Sequence, residues 1–336
     1  MLSIEDYLMS KSLVKSVSVS WIILMLCTTA SAKLTPFYEQ SNDEWYCGYK
    51  NDIGEIVIPI KKYEHCGDFS EGLAYVGEIA RPLVEVHSGY KYLQGFIDET
   101  GNLVIPIEHE VLDGALYTDF KSFSEGLVAI YRNGKYGYMN KQRELVIPYQ
   151  YQDAQDFKNG LAIVVNQNDK YGAINRLGNT VIPFKFDYLS SFSDGLALYT
   201  EDNHWNEGFQ YGFVDLKGNI SIKAKWDSAC LFSEGLAAVR VGDYETGKWG
   251  IIDKAGNFLV KPEYDAPQIQ TWSDADYDDC YYKKGKMDMY KYTNPEDPYE
   301  SSITRYTLNH KGSILAKKFY SNWNTIIDEF IKDNDL

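Results

Sequence analysis

The sequence is poor in the residues that most site chemistry needs. It holds five histidines and five cysteines in 336 residues. His65, His87, His109, His204 and His310 contain no HxxH or HExxH spacing, and no two cysteines form CxxC. Zinc and thioredoxin-like chemistry therefore have no support in the spacing. No P-loop and no GxGxxG is present to cradle phosphate. Positive charge is also scarce, with 33 Lys+Arg against 48 Asp+Glu for a net charge of −15. That balance argues against nucleic acid and against an anionic membrane surface as partners. Apolar residues at helical spacing are missing until the C-terminus, which excludes an α or α/β chain. Aromatic residues are plentiful at 15%, with 28 Tyr, and 44% hydrophobic residues suffice for a core.

One apolar run stands apart. Lys11 and Lys15 precede Val17 to Cys27, and Ala30-Ser31-Ala32 fits an A-x-A cleavage site. Residues 1–32 are expected to be a signal peptide, which places the mature chain, 33–336, in the periplasm or outside the cell. The run is shorter than the roughly 20 residues of a membrane span, so no insertion is expected after cleavage. Glu5 and Asp6 are unusual in such a segment, and a start at Met9 would give a more conventional one. The mature chain keeps Cys47, Cys66, Cys230 and Cys280. An even count suits disulfides in an exported protein. Cys47–Cys66 and Cys230–Cys280 close the shortest loops, but all three connectivities, and free thiols, stay open.

Beyond residue 32 the chain repeats itself. Each unit has an aromatic residue followed by Gly, a turn, a β-branched run ending in Pro, and a Phe-Ser-Glu-Gly-Leu-Ala segment. Lys135 to Val164 and Lys170 to Tyr199 are the clearest copies. The first Gly falls at Gly95, Gly137, Gly172, Gly212 and Gly250, at intervals of 42, 35, 40 and 38 residues. Six units are recognisable, and a degenerate seventh is expected around Tyr306 to Ile314. A unit reads as three short strands: Tyr171–Asn175, a hairpin turn at Gly178, Thr180–Ile182 with pairing stopped at Pro183 or set on a sheet edge there, and Gly195–Tyr199. The strands are apolar on both faces, so stacked units would bury one another, and the Gly after each aromatic would make room for the next unit.

This unit resembles the WG (KWG) repeat family of bacterial exported proteins. The resemblance rests on Trp249-Gly250, Tyr136-Gly137, Tyr171-Gly172 and Tyr211-Gly212, together with Phe69 to Ala74 and the segments after Phe123, Phe192 and Phe232. It covers roughly residues 45–264 and implies a β-repeat fold but no shared activity. The expected fold is all-β: a tandem array of three-stranded meander units over 33–264. An open β-solenoid fits about 35 residues per unit better than a closed propeller, whose repeats are longer. Residues 265–336 depart from the pattern. They are expected to hold a degenerate repeat and a cap with a short helix over Ser321 to Phe330, its N-cap Ser321 and its apolar face Trp323, Ile326, Ile327, Phe330 and Ile331.

Candidate sites are few. Asp274, Asp276, Asp278 and Asp279 could attract calcium, but the EF-hand pattern fails, and a solvated acidic loop is expected. The recurrent Ser-Glu-Gly is expected to be structural, with Ser capping the turn, because catalytic residues are not repeated in every unit. A Cys–His pair at Cys66 and His65 is not expected. The insertions carry more interest. Three of them, around His87 and Tyr90, around His204, Trp205 and Glu207, and over 240–247, fall at the same hairpin. Equivalent loops of an array project on one face, often the binding face. The expected function is a non-catalytic protein-interaction module with no cofactor. The alternatives are binding of a cell-envelope glycan through exposed Tyr and Trp, or a hydrolase with its site in an insertion.

Overall fold

The computed structural model describes residues 33–41, 44–61, 63–80, 85–86, 89–90, 92–111, 120–200, 209–243, 246–267, 284–294, 301–322, 324–326 and 329. The chain is all-β and folds into small antiparallel sheets in tandem. Sheet 1 holds Thr35–Ser41, Glu44–Lys50 and Ile56–Ile58, and sheet 2 holds His65–Cys66, Leu73–Ile79, Tyr92–Asp98 and Leu103–Val111. Sheet 3 is formed by Leu127–Arg132, Lys135–Asn140 and Leu145–Tyr151, and one bridge, Tyr131 to Glu110, joins it to sheet 2. Sheets 4, 5 and 6 repeat a four-stranded plan. In sheet 4 the strands are Asp153–Ala154, Leu161–Val165, Tyr171–Asn175 and Thr180–Phe186. In sheet 5 they are Tyr188–Leu189, Leu196–Thr200, Tyr211–Asp215 and Ile220–Trp226. In sheet 6 they are Ser228–Ala229, Leu236–Val241, Lys248–Asp253 and Phe258–Tyr264. Sheet 7, Lys286–Tyr292, Ile303–Asn309 and Ile314–Tyr320, makes the degenerate seventh unit a complete meander.

Three local expectations are corrected. A two-residue strand precedes the three expected ones in sheets 2, 4, 5 and 6. Of the two readings of the proline, the stop fails and the edge position holds: Pro183 lies inside Thr180–Phe186, the outermost strand of sheet 4. There the ladder jumps from Ala173–Ile182 to Tyr171–Phe186, so two residues advance against four. This bulge absorbs the missing proline N–H. The Gly after each aromatic serves that bulge, not the next unit. A Cβ at Gly172 would lie 2.8 Å from the carbonyl oxygen of Ile182 in the same sheet. At Gly137 and Gly250 the same distance, to Ile147 and Val260, is 2.6 Å.

Apolar clusters form between successive sheets. Tyr136, Tyr138 and Ile147 of sheet 3 meet Ala154, Ala162 and Ile174 of sheet 4, and the opposite face of sheet 4 packs on Leu189, Ala197 and Val214 of sheet 5. Burial of apolar area between neighbours is what stabilises such an array. The Ser-Glu-Gly segments add a polar ladder. Both Glu125 and Gly126 have positive φ, 52° and 82°, so the turn is the primed type that suits a two-residue hairpin. Ser124 Oγ does not cap its own turn. It donates to the Phe157 carbonyl of the next sheet at 2.6 Å, as Ser70 Oγ does to Phe123. Glu125 accepts from the Gly160 N–H at 2.8 Å, and Glu234 from the Gly285 N–H at 2.8 Å.

Cys47 and Cys66 form a disulfide between sheets 1 and 2. Cys230 is also disulfide-bonded, its partner lying outside the described residues, as does Cys280. At the C-terminus residues 324–326 and 329 are helical, and Ile326 packs on Tyr290, Ile303 and Tyr320 of sheet 7. The cap of this helix is Asn322, not Ser321: Asn322 Oδ1 accepts from the Thr325 N–H at 3.1 Å. Trp323, Ile327, Phe330 and Ile331 lie outside the described residues. No helix among the described residues is long and apolar enough to cross a membrane.

Candidate functional site

The residues singled out in the insertions are not placed. His87, His204, Trp205, Glu207, Asp274, Asp276, Asp278 and Asp279 lie outside the described residues. Tyr90 belongs to the short strand Gly89–Tyr90, paired with Glu85–Val86. Cys66 is consumed by its disulfide, so it offers His65 no thiol. The His65 ring packs 4.9 Å from Phe120 and 5.2 Å from Tyr92, and burial holds its pKa below the ordinary value.

A different surface recurs in every unit. The last strand of the meander begins with two apolar residues in sheets 1 to 3, 6 and 7, with Thr180-Val181 and Ile220-Ser221 in sheets 4 and 5, and the structure exposes most of them. Ile56-Val57, Leu103-Val104 and Leu145-Val146 are exposed in sheets 1 to 3. Ile220, Phe258-Leu259 and Ile314-Leu315 follow in sheets 5 to 7, and only Val181 in sheet 4 is half-buried. These strands lie at the outer end of the strand order in sheets 1 and 3 to 7, so one side of their backbone is unpaired within the sheet. Burial resumes at the third residue, where Ile147, Ile182 and Ile222 point to the core. Alternation fails at the strand start because the register shifts there: between Met139–Leu145 and Tyr138–Ile147, and between Ile252–Phe258 and Ile251–Val260, one residue advances against two.

The turn before each edge strand is built by one side chain. Asn175 Oδ1 accepts from the N–H groups of Leu177 and Asn179, both at 3.0 Å. Asp253 Oδ1 does the same with Ala255 and Asn257, both at 2.9 Å, and Asp98 with Thr100 and Asn102, both at 2.9 Å. The Asn257 N–H holds the Asp253 carboxyl below the usual carboxylate range, and the Thr100 hydroxyl does so for Asp98. A depressed folded pKa gives stability that is full above the unfolded value of about 4 and is lost as pH falls through the folded one. The Asp253→Asn variant should therefore lose less thermal stability than the parent between about pH 4 and pH 2. Equal slopes of unfolding midpoint against pH would show that this turn carries no such linkage.

Two shallow grooves accompany the edges. One of about 590 Å³ runs between the turns of sheets 3 and 4, where Val146 and Leu177 meet Lys141 and Arg176. Leu177 is 77% exposed, and Lys141 is paired with Glu71 at 3.1 Å. The other, about 600 Å³, lies at the short-strand side of sheets 3 to 5 among Lys121, Asp156, Lys158 and Ser191. Part of its polar surface is already engaged between sheets, since Ser191 Oγ donates to Gln155 Oε1 at 3.0 Å. Among the described residues no three His, Cys, Asp or Glu side chains are grouped to hold a metal ion.

The sequence profile of the WG containing repeat matches residues 48–77, 95–113, 136–171, 171–205, 211–244 and 249–274, together more than half of the chain. No curated protein matches by sequence. Among solved structures, a crystal structure of the eukaryotic initiation factor is similar, with a TM-score of 0.52 at 12% identity over 85% of this chain and 76% of that one. BamB from Moraxella catarrhalis gives a TM-score of 0.40 at 12% identity over 85% and 90%, and Hsv2p from Kluyveromyces lactis gives 0.41 at 8% over 84% and 94%. At these identities the first is a likeness of fold alone, and the other two are weaker.

Proposed function

The chain belongs to the WG-containing repeat family, and on that footing we propose that it is an exported, non-catalytic interaction module that holds a partner protein along the edges of its sheets. The observation that carries this reading is the exposed apolar pair at the start of the edge strands of sheets 1, 3, 6 and 7: Ile56-Val57, Leu145-Val146, Phe258-Leu259 and Ile314-Leu315. A monomer gains nothing from repeating an exposed apolar pair, and clustered exposed apolar surface marks interaction sites. The row is aliphatic except for Phe258. Aliphatic side chains bury well against protein but offer no ring for a sugar to stack on, which favours a protein partner over a glycan.

The array is read as open. At the outer face of sheet 1, Lys50 takes the ladder position that Ile97, Met139, Ile174 and Ile252 take in other sheets, and its ammonium lies 4.0 Å from the Phe37 ring centroid. At the other end Ile326 covers sheet 7, and Glu329 accepts from Arg305 at 3.0 Å and from the Tyr320 hydroxyl at 3.1 Å. Polar covers of this kind suit the ends of a stack.

A pull-down from envelope extract with residues 33–336 tests the function. The comparison chain carries Leu145→Ser, Val146→Ser, Phe258→Ser and Leu259→Ser. Surface changes of this kind cost little stability, within about 0.5 kcal/mol each. The expected result is a protein retained by the parent and reduced about tenfold or more with the variant, a difference of about 1.4 kcal/mol. Equal retention by both would remove the edges from the function. Retention of polysaccharide by both, with no protein, would favour the glycan reading.

A further inference from the structure

The charge of the edge strands runs against that of the chain. Over 175–186, 215–226, 253–264 and 309–320, the last strands of sheets 4 to 7 with their turns, there are ten Lys+Arg and three Asp+Glu. The three carboxylates are Asp215, Asp253 and Glu263. These four segments therefore carry +7 in a chain whose net charge is −15. All ten cations are exposed. Sheet 2 is the contrast: Asp98, Glu99, Glu108 and Glu110 make its matching segment, 98–111, acidic.

Part of this charge has no carboxylate beside it. Lys254 pairs with Asp194 at 3.0 Å, Lys318 pairs with Glu329. Lys223, Lys261 and Lys311 make no ion pair among the described residues, while the charge of Lys217 acts on Asp215. Lys225 lies 4.5 Å from the Trp226 ring centroid and Lys317 lies 5.2 Å from that of Tyr306. A ring face steadies an ammonium without neutralising it. Next to these cations stand the exposed Ile220, Leu259, Ile314 and Leu315, and Phe319, which is 63% exposed.

We propose that the free edges of sheets 4 to 7 bind an acidic, extended protein segment by strand addition. This deepens the interaction reading above and rests on it. Three features point to that occupant. The edge strands Thr180–Phe186, Ile220–Trp226, Phe258–Tyr264 and Ile314–Tyr320 each offer main-chain donors and acceptors on one side, which a peptide can use and a lipid surface cannot. Lysine on the edge repels a second copy of the same strand, since Lys223 and Lys225 of two such edges would face each other. The same lysines oppose Asp or Glu favourably in an added strand, whose alternate residues reach Ile220 or Leu259. Edges that reject their own kind select for the opposite charge.

The full chain is tested with an acetylated peptide of about ten residues that alternates Glu or Asp with Val or Ile. A control peptide carries Lys at the acidic positions. Fluorescence anisotropy is expected to show saturable binding of the acidic peptide. Binding should weaken about tenfold or more in Lys223→Glu/Lys225→Glu/Lys261→Glu, and also at about 0.5 M salt, where screening shortens to a few Å. Hydrogen exchange should slow at the amides of Ile220–Trp226 when the peptide is bound. Equal binding of both peptides, no effect of the triple variant, or capture only by vesicles of phosphatidylglycerol and phosphatidylcholine would each overturn the proposal. If the acidic peptide fails while the aliphatic-edge variant still loses its partner in the pull-down, this inference falls and the interaction module stands.

Discussion

Replacing Gly250 by Ala should cost about 3 kcal/mol of stability, near the top of the range for forcing atoms into a packed site. The added Cβ would meet the Val260 carbonyl oxygen at 2.6 Å, the Pro262 nitrogen at 2.8 Å and the Lys261 carbonyl carbon at 3.0 Å. All three atoms are backbone of the bulged strand opposite, so no rotamer change relieves them. The bulge itself is held by Ile251–Val260 on one side and Trp249–Tyr264 on the other. Gly195→Ala is the control. Its φ is +84°, but nothing lies within 4 Å of the added Cβ. It should cost only the left-handed backbone penalty of about 1–2 kcal/mol. Urea midpoints at constant slope check the difference. A Gly250→Ala loss no larger than that of Gly195→Ala would mean that the bulge yields, and the account of the aromatic-Gly step would be wrong.

Removing the Cys47–Cys66 bond should have the next largest effect, and it should be local. The bond spans 19 residues and joins the first two sheets. Loop-closure entropy for that span corresponds to about 3 kcal/mol. In a stack each sheet is stabilised by its neighbours; sheet 1 packs on sheet 2 through Tyr49, Ile58, Ala74 and Ile97, and in the open array proposed above it has no second neighbour. In a Cys47→Ser/Cys66→Ser variant the amides of Glu44–Lys50 should exchange markedly faster, while those of Tyr211–Asp215 in sheet 5 stay as slow as in the parent. Uniform acceleration across all sheets would contradict this local behaviour and show one cooperative unit.

The repeat was legible because its turns demand particular residues. Gly126 and Gly178 recur at fixed places since the backbone there has positive φ, 82° and 80°. Aromatic-Gly was also legible, but not its reason. A lone Gly in a strand marks a close approach without saying by what, and the approaching atom is the Ile147, Ile182 or Val260 carbonyl ten residues on. Pro183 pointed to a stop or an edge, and the edge holds, while the bulge that takes its missing N–H is not shown by sequence alone. The two-residue strand Asp153–Ala154 was too short to leave a periodic signal. The edge surface escaped for two reasons. Leu145 and Val146 look like core by composition, and the register shift at their strand start, between Met139–Leu145 and Tyr138–Ile147, is not visible in the sequence. The basic edges of sheets 4 to 7 vanish into a total charge of −15 until strands are assigned.

The polar ladder makes the units interchangeable parts. Ser124 and Glu125 of one sheet hold the Phe157 carbonyl and the Gly160 N–H of the next, and Ser70 and Glu71 hold Phe123 and Gly126 in the same way. Sheets 2, 3, 5 and 6 thus present a carboxylate plug, from Glu71, Glu125, Asp194 and Glu234, to a backbone N–H socket that follows in the array. A segment one unit long can be excised or duplicated between two such joints, and the flanking plug and socket still mate. The number of units can thus change in whole steps wherever two such joints flank them.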